Sequence, residues 1–251
     1  MNYLIAALLT LATSAAIASD VPANCTGCSF AGRDLRGADL ANVKYAGVNL
    51  SHANLRDAEM RGARLAGVDL YAADLRGANL KQARLAGVDL REAQVSGATF
   101  TGATLAGVNL RDVFTGLRDI DARGLLHECA GCDARGAVIS GFDLSGVSIV
   151  GGDFRDARAQ RVRLTGAQLE GVDFARADLR AADLRDAKLC SRNADEPRVQ
   201  CIDLRGADVR GADFRGALLC QDDRDPRNCT SVDAATLRDG SRSSLAGAIL
   251  P

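Results

Sequence analysis

Tryptophan is absent from the 251-residue chain, and aromatic residues make up only 4% of it. With 26 glycines alongside, that scarcity argues against a globular core built from large rings. An excess of either charge is missing too: 31 basic residues stand against 32 acidic ones, a formal net charge of −1. Such a balance opposes strong electrostatic capture of nucleic acid or of an anionic membrane, and equally opposes an acidic decoy. Histidine is limited to His52 and His127, and no nucleophile–base–acid set assembles around either. Aspartate and glutamate are plentiful but regularly spaced, so no pair stands out as an acid–base couple. The composition points away from an enzyme, and no cofactor is expected.

Charge is also absent from residues 1–19, MNYLIAALLTLATSAAIAS. Leu4 to Ala18 is apolar or small throughout, and Ala16-Ile17-Ala18 has the form of a signal-peptidase site. Residues 1–18 therefore read as a secretory signal. The alternative is an uncleaved anchor, for which about 20 apolar residues are needed. No cysteine stands at the cleavage point, which opposes a lipoprotein. The expected location is the periplasm or the medium, with no stable membrane insertion after cleavage.

What the chain does have is a word. AGVNL at 46–50 returns as AGVDL at 66–70 and 86–90, and as AGVNL at 106–110. Inside this period of 20 lies a shorter one: every fifth residue from Phe30 to Leu110 is apolar, 17 in succession. Two places earlier stands Ala or Val, between them usually Asp or Asn, and Gly commonly follows two places after. A helix does not give this pattern, because five residues at 100° each would spiral the leucines around the surface. A flat strand fails as well, since alternation by two would send every second leucine to the opposite face. A chain that turns a corner every five residues satisfies it, with glycine near the corner.

On these residues the chain resembles the pentapeptide-repeat family, A-(D/N)-L-x-x. The resemblance implies an all-β fold, a right-handed quadrilateral β-helix with four pentapeptides per coil. AGVNL, AGVDL, AGVDL and AGVNL then mark one side of four stacked coils. Arg36, Arg56 and Arg76 form one outward column, and Lys44, Arg64, Arg84 and Thr104 another. About eight coils are expected, a rod roughly 40 Å long at about 4.8 Å per coil. Quinolone-resistance members of the family imitate duplex DNA and bind DNA gyrase; the apolar start and the balanced charge both oppose that role here.

The frame is lost at Thr115 and returns, shifted by one, at Ile139. CTGC at 25–28 and CAGC at 129–132 each open a run of repeats. The expected organisation is an N-terminal cap over 19–29, a first coil segment over 30–113, and a connector with a second cap over 114–132. A second coil segment follows over 133–251. The connector holds a short helix or an irregular turn. Removing 191–200 joins Cys190 to Cys201 in frame, and removing 221–228 joins Cys220 to Cys229. Each insertion is thus a loop with a cysteine at each foot, and the two leave the same corner one coil apart.

Eight cysteines in an exported chain fit an oxidised framework. The expected pairs are Cys190–Cys201, Cys220–Cys229, Cys25–Cys28 and Cys129–Cys132, with an inter-coil Cys190–Cys220 bond as the alternative. Two CxxC motifs raise the question of zinc, but they lie about five coils apart and Cys28 and Cys132 point inward, so no metal site is expected. Asp222, Asp223 and Asp225 lack the glycine-bearing loop that calcium needs. The loops share an acidic–Pro–Arg element, Glu196-Pro197-Arg198 and Asp225-Pro226-Arg227, which makes them the candidate recognition site. The function expected is that of a non-catalytic exported scaffold that binds a protein and no nucleic acid; partner and oligomeric state are not legible. The rival is a DNA-imitating, topoisomerase-binding protein.

Overall fold

Each pentapeptide builds one side of a square coil, and equivalent sides stack in parallel. The computed structural model of the chain describes residues 21–192, 199–220 and 229–231. The predicted signal over 1–18 lies outside them, as do both acidic–Pro–Arg elements. Side one of the coil passes through Leu50 and Leu70, side two through Leu55 and Leu75, side three through Met60 and Leu80, and side four through Leu65 and Leu85. On sides one to three the residue before each apolar centre bridges its equivalent in the next coil, as Asn49 to Asp69 and Asp34 to Asn54. Side four is continuous strand: β1 (Asn24–Thr26), β2 (Lys44–Ala46), β3 (Arg64–Ala66), β4 (Arg84–Ala86), β5 (Thr104–Ala106) and β6 (Cys129–Ala130). They form one parallel sheet in sequence order, in register as Lys44–Arg64–Arg84 and Ala46–Ala66–Ala86.

The residue types follow from this geometry. The apolar centre and the residue two before it point inward: Leu50, Leu70 and Leu90 are fully buried, and Val48, Val68 and Val88 are 1% exposed. The Asp or Asn between them points out, and its Oδ1 accepts the N–H two residues on, as Asn49 from Ser51 at 2.9 Å and Asp69 from Tyr71 at 2.9 Å. This local bond is why short carboxylate or amide side chains hold the position. Two large rings stack inside the coil, Phe154 and Phe174, at 5.3 Å between centroids.

The corners answer for the recurring word. Those after sides one, two and three are braced by turn hydrogen bonds, such as Ala53 N–H to Leu50 O at 3.1 Å and Ala58 N–H to Leu55 O at 3.1 Å. They accept non-glycine residues at positive φ, including His52, Asp57 and Gln82. Among the described residues, the corner after side four lacks such a bond from Gly27 to Gly131 and gains it only after Ile149 and Leu169, as Gly152 N–H to Ile149 O at 3.0 Å; it is glycine throughout, from Gly27 and Gly47 to Gly171. AGV(D/N)L returns once per coil from Ala46 to Leu110 because there this corner relies on glycine alone to reach the left-handed region.

The connector closes a coil of its own. Leu105 pairs with Cys129 and Asn109 with Asp133, so sides one and four stay in parallel register across a coil longer than its predecessors. Sides two and three stop at Gln94 and Thr99 and resume at Val138 and Asp143. In their place stands helix α1 (Asp119–Leu125), whose Ala122 and Leu125 are fully buried, with Leu126 beside them. The expectation of two separately capped stacks is therefore corrected: CAGC at 129–132 lies inside a single stack, and the frame resumes at Cys129, well before Ile139. The column on side one, from Ser29 to Asp203, joins nine residues through eight parallel bridges. That is one layer more than the eight coils expected, because the connector adds the extra one.

Candidate functional site: two stacked hairpins and a charged surface

Both insertions begin as β-hairpins that extend side four. β7 (Lys188–Arg192) pairs antiparallel with β8 (Val199–Cys201), setting Cys190 opposite Cys201. β9 (Leu218–Cys220) pairs antiparallel with β10 (Cys229–Ser231), setting Cys220 opposite Cys229. β7 and β9 are parallel neighbours, with Ser191 opposite Cys220, so the hairpins lie one above the other. Cys190 and Cys201 form a disulfide with Cα atoms 3.9 Å apart. Cys25–Cys28 and Cys129–Cys132 do the same at 6.0 and 5.8 Å. The side chains of Cys220 and Cys229 lie outside the described residues, and so do Glu196, Pro197, Arg198, Asp225, Pro226 and Arg227. The sequence treated 191–200 as loop; its first two and last two residues are strand.

Most arginines of the outward rows are paired with a neighbouring aspartate. Arg36 forks onto Asp34 with Nε–Oδ1 at 2.9 Å and Nη2–Oδ2 at 2.6 Å, and Arg91 onto Asp89 and Arg210 onto Asp208 repeat the arrangement. Coils are cross-linked as well, Arg135 to Asp153 at 3.6 Å and Arg155 to Asp173 at 3.5 Å. Hydrogen bonds from Arg36 and Arg210 hold the Asp34 and Asp208 carboxyls below the usual carboxylate range, and those from Arg180 and Arg185 bring Asp178 and Asp183 to about 2. The Arg155 guanidinium is pushed further above its ordinary value by its hydrogen bond to Asp153. In the Arg36, Arg56, Arg76 column the first and last arginines are paired with Asp34 and Asp74, whereas Arg56 faces Asn54. His52 is an exposed corner residue set edge-on to Tyr71 at 5.3 Å.

Sequence reasoning gave no position to the cleft of about 380 Å³ where α1 replaces sides two and three. Thr99, Phe100, Arg118, Ile120, Arg123 and His127 are among its lining residues. Ile120 is 63% exposed at its rim, and Arg118 is engaged by the buried Asp121 at 2.9 and 3.0 Å. Its only sequence signal is the lost five-residue frame. Among the described residues no three His, Cys, Asp or Glu converge to hold a metal ion, and no helix is long and apolar enough to cross a membrane.

The family model for pentapeptide repeats matches residues 46–82, 78–114, 128–166 and 160–191, more than half of the chain. Among solved structures, the chain is similar to HetL, a pentapeptide-repeat protein involved in heterocyst differentiation regulation in the cyanobacterium Nostoc sp. strain PCC 7120. The identity is 27% over 77% of this chain and 84% of that one, with a TM-score of 0.36. It is similar also to full-length QnrB1, a plasmid-mediated fluoroquinolone resistance protein, at 18% identity over 79% and 84% and a TM-score of 0.31. A pentapeptide-repeat protein of the Arabidopsis thaliana thylakoid lumen is 31% identical over 46% of this chain and 81% of that one, with a TM-score of 0.21. Among curated proteins none matches. From the matched repeats and from the square coil they build, this chain belongs to the pentapeptide-repeat family.

Proposed function

We propose that the protein is a non-catalytic scaffold, exported to the periplasm or beyond, that presents its paired insertions to a protein partner. The observation that carries this reading is the register of the two hairpins: β7 and β9 stack in parallel, so both insertions leave one rigid side together. Fixing two loops on such a base lowers the ordering cost of binding. The Cys190–Cys201 bond at the foot of the first supports an oxidising location, as does the uncharged start ending in Ala16-Ile17-Ala18. Carboxylates tied to arginine and to backbone N–H are poor acid–base catalysts, which favours the non-catalytic reading. The same pairing tells against imitation of DNA, which needs rows of unmatched negative charge.

Two measurements test it. Mass spectrometry of the native protein is expected to find a mature chain lacking residues 1–18; an intact Met1 on cytoplasmic material overturns the export claim. A variant lacking 191–200 and 221–228 is expected to remain folded by circular dichroism and to lose the partner that crosslinks to the unaltered chain. Full crosslinking by the folded variant would move the site to the faces of the coil.

A further inference from the structure

Side four of the first coils departs from the charge pairing found elsewhere. Lys44, Arg64 and Arg84 are in-register neighbours in β2, β3 and β4, all exposed. Adjacent strands are about 4.8 Å apart, well inside the screening length of about 8 Å at physiological salt, so the three charges repel one another. Like charges directly opposite each other in a sheet are destabilising. Arg61 and Lys81 are also exposed and stand just round the corner, beyond Gly62 and Gln82. None of these five cations enters an ion pair or a side-chain hydrogen bond among the described residues. On side three, Asp39 accepts the Ala41 N–H at 3.0 Å, and Glu59 accepts from Asn79 Nδ2 at 2.8 Å.

Beside the cations the surface is nearly without relief. Ala66, Ala86 and Ala106 lie exposed in one column and Gly47, Gly67, Gly87 and Gly107 in the next. A shallow depression of about 450 Å³ opens against Lys44, Arg64 and Ala66. This side carries no acidic residue from Asn24 to Gly107 and no exposed ring on which a nucleic-acid base could stack. A partner met here is read by charge and flatness, with little recognition of shape. An acidic peptide in extended form repeats its side chains on one face every two residues, about 6.6–6.8 Å, which misses the strand spacing. A planar array of mobile headgroups has no such mismatch.

We propose that this strand-built side of coils two to four adsorbs peripherally to an anionic lipid surface, with Lys44, Arg64 and Arg84 as the central contacts and Arg61 and Lys81 at the margin. The balanced net charge of the chain conceals this patch, because arginine–aspartate pairs cancel much of the charge on the other sides. The apposition inserts nothing into the hydrocarbon region and is governed by charge. It does not depend on the hairpins or on their partner.

The test is sedimentation of the purified chain with vesicles of phosphatidylcholine alone and with vesicles of phosphatidylcholine and phosphatidylglycerol mixed two to one. The chain is expected to pellet with the second, to be released by about 0.5 M salt, and to bind the first far more weakly. Each cation near such a surface is worth about fivefold in partitioning, so Lys44→Gln/Arg64→Gln/Arg84→Gln is expected to weaken binding about a hundredfold. The control, Arg36→Gln/Arg56→Gln/Arg76→Gln, makes the same change in net charge on side two and is expected to keep most of the binding. Every variant is prepared without the apolar residues 1–18, so that sedimentation reports the coil and not an apolar segment common to all of them. Equal binding to both vesicles overturns the proposal, as does unchanged binding by the folded side-four variant or an equal loss by the control. Binding of poly-L-glutamate without binding of the anionic vesicles would overturn it in favour of an acidic protein.

Discussion

Leu70 lies between Leu50 and Leu90, and all three are fully buried. Leu70→Ala opens a cavity inside a continuous column and is expected to cost about 2–5 kcal/mol in denaturant titration. Arg76 lies on the outside and is bonded to Asp74, so Arg76→Ala should cost no more than about 1 kcal/mol. Equal losses for the two would mean that the inward frame is misplaced. Glycines separate in the same way. Gly77 and Gly87 both sit at positive φ, where a side chain costs about 1–2 kcal/mol. A Cβ on Gly87 meets nothing within 4 Å, whereas one on Gly77 would lie 2.2 Å from Asp57 Oδ1. Gly77→Ala should therefore be the more damaging, and Asp57→Ala should recover part of its loss. A double-mutant cycle on melting temperature checks the coupling.

At the level of the element, the acid ladders and the hairpins carry separate predictions. Asp178 and Asp183 have folded pKa values of about 2, depressed chiefly by hydrogen bonds from Arg180 and Arg185. A depressed carboxyl contributes stability that is complete above its unfolded pKa of about 3.9 and is lost as pH falls through the folded value. The melting temperature should hold from pH 7 to about 4.5 and fall between about 4 and 2. Asp178→Asn/Asp183→Asn keeps a side-chain acceptor but removes the titration, and should flatten that acid limb in part. In the hairpins, the Cys190–Cys201 bond closes a short loop and is worth about 2–3 kcal/mol, read from the shift in midpoint of Cys190→Ser/Cys201→Ser. Non-reducing peptide mapping is expected to add Cys220–Cys229, since the backbone register sets those residues opposite each other. A Cys190–Cys220 peptide would refute that pairing.

Over the whole molecule, each coil leans only on its neighbours, so a local break in the ladder has a local consequence. Leu75 N–H donates to Gln94 O at 2.8 Å and Leu80 N–H to Thr99 O at 2.8 Å. The next amides in those two columns, Val95 and Phe100, have no acceptor among the described residues, because the connector coil lacks sides two and three there. Their hydrogen exchange should be faster than that of Leu75 and Leu80, despite burial of their side chains to 1% and 3% exposure. Equal protection would mean that α1 seals the gap. Sides one and four, bridged without interruption through Leu105–Cys129 and Asn109–Asp133, should hold the stack together across the connector.

The amino-acid sequence by itself determined the square coil, because its causes are local. An inward leucine, an outward Asp or Asn that caps its own turn, and a glycine where no turn bond braces the corner are all written within one pentapeptide, and four of these set the period of AGVNL. The cysteine feet were legible for the same reason, since deleting each insertion restores the frame. Tertiary structure alone decided where the chain rejoins after the frame is lost. Cys129 and Asp133 are placed by stacking on Leu105 and Asn109, across a connector whose length no local rule specifies. It also decided which charges are left over: the Arg36–Asp34 pair, two residues apart, is written in one pentapeptide, whereas Lys44, set between Asn24 and Arg64 in the sheet, finds no carboxylate among the described residues because of how adjacent coils place their side chains.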